Sequence, residues 1–162
     1  MATFFHCAPN KLDVGTAILP GNWGRIIRTA YPAATNNIPI TYREALFEYA
    51  RQLFAADKVS RLNCVFVLES FEAATKFRNT HQLANIIYEV EPSGLTEGNH
   101  RSDYDLTNWP QEGQCFDWVY DRARRYWLGV DIQNAEVLLP CPVKIISLPE
   151  GYRNPANSQG DA

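Results

Sequence analysis

The chain lacks any apolar run near the roughly 20 residues that span a bilayer, and it lacks a basic start leading into an apolar stretch. The expectation is a soluble, cytoplasmic protein with no membrane partner. A basic excess is also missing: 15 Lys and Arg stand against 18 Asp and Glu, a formal net charge of -3. Nucleic acid is therefore not favoured as a partner, since a surface that coats it is normally basic. Arg122, Arg124 and Arg125 form the densest basic cluster and read as the solvated face of a helix. Cysteine is scarce and unclustered: Cys7, Cys64, Cys115 and Cys141 stand singly with no Cys-x-x-Cys spacing. Reduced thiols are expected, with Cys64 and Cys141 as small core residues inside apolar strand-like runs. His6, His81 and His100 share no metal-ligand spacing, so no metal site is expected. There is no Walker motif, dinucleotide fingerprint or nucleophile elbow.

What is present is a globular balance, with 46% apolar and 20% charged residues in 162. That length can bury one proper core. The reading is one α+β domain over residues 1–149, followed by a tail, 150–162, that is expected to be disordered. A first strand is predicted from Thr3 to Cys7. Residues 8–40 carry many prolines and glycines and read as a long, loop-rich excursion of the functional kind. Thr41 with Glu44 three residues on predicts a capping box, and Leu46, Ala50 and Leu53, with Phe47 and Phe54 beside them, supply the apolar face of that helix. Asn63 to Glu69 is strand-like, and Ser70 is a good N-cap for a second helix through Arg78. Asn85 to Glu91 is another strand, and residues 95–113 read as polar turns. A third helix is predicted over 114–128, then two short strands, Ala135 to Leu139 and Val143 to Leu148, around the Pro140-Cys141-Pro142 corner.

Several residues have the chemistry for a site. His6 lies where a short apolar strand meets a loop, and its imidazole is either a grip on a ribose hydroxyl or a capping or surface histidine. Glu136 opens the run Val137-Leu138-Leu139. It is either an exposed strand end or a carboxylate able to stabilise an oxocarbenium-like centre, as in glycosidic bond cleavage. Pro20 to Arg25 reads as a tight turn whose glycines admit a ligand and whose Arg25 suits phosphate, or as a purely structural turn around Trp23. Ser60-Arg61 is a second possible anion contact or a surface salt bridge. Tyr104 and Trp109 either stack on a base or pack over the core. Cys7 beside His6 does not make a protease dyad, because adjacent strand residues point to opposite faces.

Phe4-Phe5-His6-Cys7-Ala8-Pro9, read with Ile87-Tyr88-Glu89-Val90-Glu91-Pro92-Ser93-Gly94, resembles the ADP-ribosyltransferases, particularly the small bacterial enzymes that modify rifamycins. The run Leu12 to Gly21 is similar to the same enzymes, and the whole sequence is similar to a bacterial family of small proteins with no assigned activity. The resemblance implies two small antiparallel sheets forming a cleft, with flanking helices, and NAD as co-substrate. It implies a mono-ADP-ribosyltransferase of the glycosyltransferase class whose acceptor is a protein, a nucleic acid or a small molecule. In the roles it implies, His6 holds the adenosine-side ribose, the backbone at Cys7 and Ala8 holds the nicotinamide amide, and Phe66 stacks on nicotinamide. Arg25 meets the pyrophosphate and Glu136 the ribose 2′-hydroxyl, with Glu97 as the reserve acidic residue. Two positions depart from the family pattern: Cys7-Ala8 stands where Gly-Thr is usual, and Phe66 where tyrosine is usual. Both favour the alternative, a catalytically inactive binding or interaction module on the same fold. A nucleic-acid-binding domain using the Arg122 to Arg125 cluster is the weaker third reading.

Overall fold

Apolar residues on both faces put Phe4–Ala8 into a strand that finds cover on each side, Phe4 and Ala8 on one and Phe5 and Cys7 on the other. The computed structural model describes residues 2–29, 37–108 and 115–148. In chain order these form β1 (Phe4–Ala8), β2 (Ala17–Ile18), α1 (Asn22–Thr29), α2 (Asn37–Phe54) and a 3₁₀ turn (Arg61–Asn63). They continue with β3 (Val65–Val67), α3 (Phe71–His81), β4 (Ile86–Pro92), β5 (His100–Asp103) and a second 3₁₀ turn (Tyr104–Thr107). The last elements are α4 (Cys115–Leu128), β6 (Ala135–Leu139) and β7 (Val143–Ser147).

The strands make two antiparallel sheets, β1-β4-β7-β2 and β3-β6-β5. Side-chain alternation decides the layering. Ala8, Tyr88, Val90, Val143 and Ile145 of the first sheet pack against Val65, Val67, Val137 and Leu139 of the second. The other face of the first sheet, with Phe5, Cys7 and Ile87, lies under Ala74 and Phe77 of α3. The other face of the second sheet, with Phe66 and Leu138, is covered by Phe47 and Ala50 of α2 and by Val119, Ala123 and Tyr126 of α4. The protein is thus a mixed α+β structure built on two small antiparallel sheets, with helices outside both. Among the described residues, no helix is long and apolar enough to cross a membrane.

Ser70 caps α3 as its sequence predicts, its Oγ accepting from the amide of Ala73 at 3.1 Å. The helix then runs three residues beyond Arg78, to His81. Cys64 and Cys141 are buried core residues. Several readings need correction. The excursion at 8–40 contains β2, α1 and the first turn of α2. The turn read at Pro20 to Arg25 is confined to Pro20-Gly21, where Gly21 takes φ +86, and α1 begins at Asn22. The helix expected at Thr41 begins at Asn37, because Pro39 falls in its first turn, where a missing N–H costs nothing. Its inward stripe is Glu44, Phe47 and Ala50, leaving Leu53 53% exposed. Residues 95–113 include a strand and a 3₁₀ turn, and the expected strand at 63–69 is the shorter β3 behind a 3₁₀ turn. The tail at 150–162 lies outside the described residues.

Candidate functional site

The two sheets touch at one edge and then part. Phe5 of β1 and Leu68, the residue after β3, exchange both backbone hydrogen bonds, at 2.9 and 2.8 Å, as an isolated antiparallel bridge. Along an antiparallel strand the N–H and C=O groups of successive residues face opposite neighbours. Those of Phe4, His6 and Ala8 therefore face β4, and those of Cys7 point the same way as Phe5's, into the gap where β1 and β3 diverge. Across that gap the Phe66 carbonyl is taken by a side chain: His6 Nδ1 donates to it at 2.8 Å. A carbonyl only accepts, so Nδ1 carries the proton and Nε2 of the neutral ring is left as an acceptor. Burial pulls the His6 pKa below its ordinary value, more than the bond to Phe66 raises it. The ring is accordingly neutral at pH 7.

The parting opens into a cleft of about 1130 Å³ lined by His6, Cys7, Ala8, Trp23, Arg25, Phe66 and Glu136, among others. Two devices hold its outer wall. α1 lies against the 3₁₀ turn at Arg61–Asn63 through Gly24, where a Cβ would stand 1.9 Å from the Leu62 carbonyl oxygen. The buried Tyr88 hydroxyl accepts from the amide of Leu12 at 2.8 Å and donates to the Asn10 carbonyl at 3.2 Å, fixing the loop after β1. Arg25 is exposed on the wall, its Nη2 donating to Asn22 Oδ1 at 3.1 Å. Cys7 directs its Sγ away, toward the Ala74 carbonyl of α3 at 3.8 Å. Burial pushes its thiol up to about 12, despite the opposing influence of Arg78.

Glu136 sits on the helix-covered face of β6, where alternation puts it with Leu138. It is 6% exposed and bound into a polar network. Arg61 Nη1 donates to Glu136 Oε1 at 2.8 Å, and the Tyr126 hydroxyl donates to the same oxygen at 2.7 Å. Arg61 reaches Glu44 of α2 through Nε at 3.1 Å and Nη2 at 3.4 Å, and Arg43 Nη2 bonds Glu44 Oε1 at 3.0 Å. The Arg61 guanidinium lies 4.9 Å from the Phe66 ring centroid, 5.0 Å from Tyr126 and 5.6 Å from Phe47. Burial works against charge on Arg61, yet Glu44, Tyr126 and Glu136 together hold its pKa well above the ordinary arginine value. Burial likewise opposes the Glu44 carboxylate, and Arg61 and Arg43 outweigh it, so its pKa is lowered. Burial drives the Tyr126 phenol well up, with Glu136 adding to it and Arg61 opposing. The expected surface salt bridge at Arg61 is corrected here: Arg61 is 6% exposed because its two carboxylate partners are buried with it.

Residues 24–151 match a family described as "Protein of unknown function (DUF2441)". The chain belongs to this family. No curated protein matches the chain. The family match covers the Phe66 and Glu136 strands and Arg25, and it begins after His6, Cys7 and Ala8.

His6, Cys7, Ala8, Arg25, Phe66 and Glu136 thus line one cleft. Glu97 does not join them: it is exposed in the turn between β4 and β5. Tyr104 also lines the cleft, buried and packed edge-on to Phe77 at 5.0 Å, while Trp109 lies outside the described residues. In the basic cluster, Arg122 donates to the Asp105 carbonyl and covers the Trp118 ring, and Arg125 pairs with Asp131. Sequence reasoning missed Tyr126 as a polar partner of Glu136, Glu44 as the second carboxylate on Arg61, and Tyr88 as a loop anchor. A signal for Glu44 was present, since it shares a helical face with Phe47 and Ala50 at a spacing of three. Among the described residues, no group of three or more His, Cys, Asp or Glu is placed to hold a metal ion.

Proposed function

We propose that the chain is a NAD-dependent mono-ADP-ribosyltransferase of ADP-ribosyltransferase-like fold, acting on an acceptor nucleophile of the protein, nucleic-acid or small-molecule class. The observation that carries this reading is the parted β1–β3 edge, where an imidazole acceptor and the amide and carbonyl of one residue face the same cleft. The donor set suits a nicotinamide nucleotide. A carboxamide needs one donor and one acceptor, which the Cys7 backbone supplies. His6 Nε2 accepts from a ribose hydroxyl, and Arg25 meets pyrophosphate as a cation at the rim. NAD supplies a glycosidic carbon–nitrogen bond whose pyridine leaves as neutral nicotinamide, taking the bonding pair. Glu136 stabilises positive charge developing at the anomeric carbon, and the attacking acceptor loses its proton to solvent. Phe66 presents an apolar ring at the cleft, although Arg61 lies close to it.

The test is release of free nicotinamide from NAD by purified protein, with His6→Ala as control. Release that depends on His6 supports the reading. No release, with no rise in melting temperature on adding NAD, removes it. A second reading, an inactive binding module, is favoured by one observation: Glu136 is already ion-paired with Arg61. NAD protection against thermal unfolding with no turnover, even when candidate acceptors are added, would select that module.

A further inference from the structure

We infer that Arg61 and Tyr126 are positioning residues for Glu136, gripping one carboxylate oxygen from behind so that the other is presented to the cleft. The inference rests on the transferase reading above. Its basis is that both bonds to the carboxylate fall on the same atom, Oε1, at 2.8 and 2.7 Å. Arg61 Nη1 also donates to the Tyr126 hydroxyl at 2.7 Å, so the three groups close a triangle with each corner bonded to the other two. A side chain held at a single oxygen by two donors from different elements has its rotamer fixed and its second oxygen directed. The donors themselves are held. The two bonds from Arg61 to Glu44 fix the guanidinium from its far side, and Tyr126 comes from α4, wholly buried beside Phe47. Glu44 also takes up much of the Arg61 charge, so the grip on Glu136 orients it without Arg61 belonging to Glu136 alone. Such support from packed secondary structure is what a reacting group needs, because small misplacements are costly in rate.

Tyr126→Phe removes one hydroxyl and keeps the ring, and Arg61→Lys keeps the charge while losing the forked geometry. Each variant is compared with wild type for kcat and KM in nicotinamide release, alongside its thermal melt. Tyr126→Phe is expected to lower kcat by on the order of 10- to 100-fold, with KM for NAD unchanged and the folded fraction intact. Arg61→Lys is expected to lower kcat at least as far. Wild-type kcat in a folded Tyr126→Phe, or a loss that merely tracks the folded fraction, overturns the inference and leaves the transferase reading standing. A wild-type protein that releases no nicotinamide, even when candidate acceptors are added, overturns the transferase reading, and this inference falls with it.

Discussion

Replacing Arg61 by methionine isolates the energetic role of the buried network. Methionine refills most of the volume and keeps contact with Phe47 and Phe66, so packing loss is small. What it removes is the one cation shared by Glu44 and Glu136, which are 1% and 6% exposed. Breaking a buried ion pair from one side costs about 3–5 kcal/mol, because the surviving charge is left uncompensated. Two carboxylates are orphaned here, though Arg43 still holds Glu44 and Tyr126 still holds Glu136, so the same range applies. At about 2–4 °C per kcal/mol for a chain of this size, the melting temperature should fall by roughly 6–20 °C.

The pH dependence separates this cause from a packing defect. In wild type the Glu44 pKa is lowered on folding, so its contribution is present above the unfolded value and lost as pH falls through the folded one. In Arg61→Met the opposing effect of burial gains weight, and the folded Glu44 can relieve its charge by taking up a proton. The gap between variant and wild type should therefore narrow as pH drops from about 8 to about 5. Adding Glu44→Gln to Arg61→Met should recover part of the loss. Thermal melts followed by circular dichroism at both pH values decide it. A gap that does not change with pH, or a loss below about 1 kcal/mol, would refute the assignment of Arg61 to an ionic role.

Gly24→Ala should destabilise by about 1–3 kcal/mol in urea denaturation, since its Cβ would meet the Leu62 carbonyl oxygen at 1.9 Å; unaltered stability would mean α1 does not seat there. Cys7 and Cys64 should resist iodoacetamide in the folded protein at about pH 8, because burial raises both thiols, Cys7 to about 12. Peptide-level mass spectrometry before and after denaturation reads this, and prompt alkylation of Cys7 would contradict its placement under α3. His6 should titrate below 6.5 in an NMR series, because burial disfavours its cation. The sign follows: its contribution to stability is present above the unfolded pKa and fades as pH falls below it. A titration above 6.5 would mean the ring is solvated or paired with an anion.

Legibility in the sequence follows how local each cause is. The cap at Ser70 and the strands β4, β6 and β7 rest on neighbouring residues, and their predicted positions hold to within about two residues. α1 was hidden because its mid-helix Gly24 reads as a breaker, while its reason is a tertiary contact with Leu62. β5 was hidden because His-Arg-Ser-Asp carries no apolar alternation. It is an edge strand whose His100 Nε2 and Ser102 Oγ both donate to the Tyr126 carbonyl, so α4 supplies what its composition does not. The candidate site was legible as a set of residue types, His6 and Glu136 above all. The network that orients Glu136 was not, because Arg61 and Tyr126, which bond it, and Glu44, which holds Arg61, come from three elements spread over more than 80 residues.

Edge strands with unpaired backbone groups are a liability that proteins normally cover or pair. Here β1 and β3 are joined by one bridge and then held apart by His6 on the Phe66 carbonyl, with α1 and the Tyr88-anchored loop forming a wall. A chain that needed only stability would close that gap, since each further rung would satisfy two more backbone groups. Both functional readings require the cleft, so the residue that separates them is Glu136. Glu136→Gln keeps an oxygen for Tyr126 and Arg61 and removes only the charge, at a cost in stability of about 1–3 kcal/mol. If the carboxylate serves transfer, nicotinamide release should fall by on the order of 10²–10³ while NAD still protects the fold against heat. If the carboxylate is only the anchor of Arg61, the melt should move and turnover, corrected for folded protein, should not.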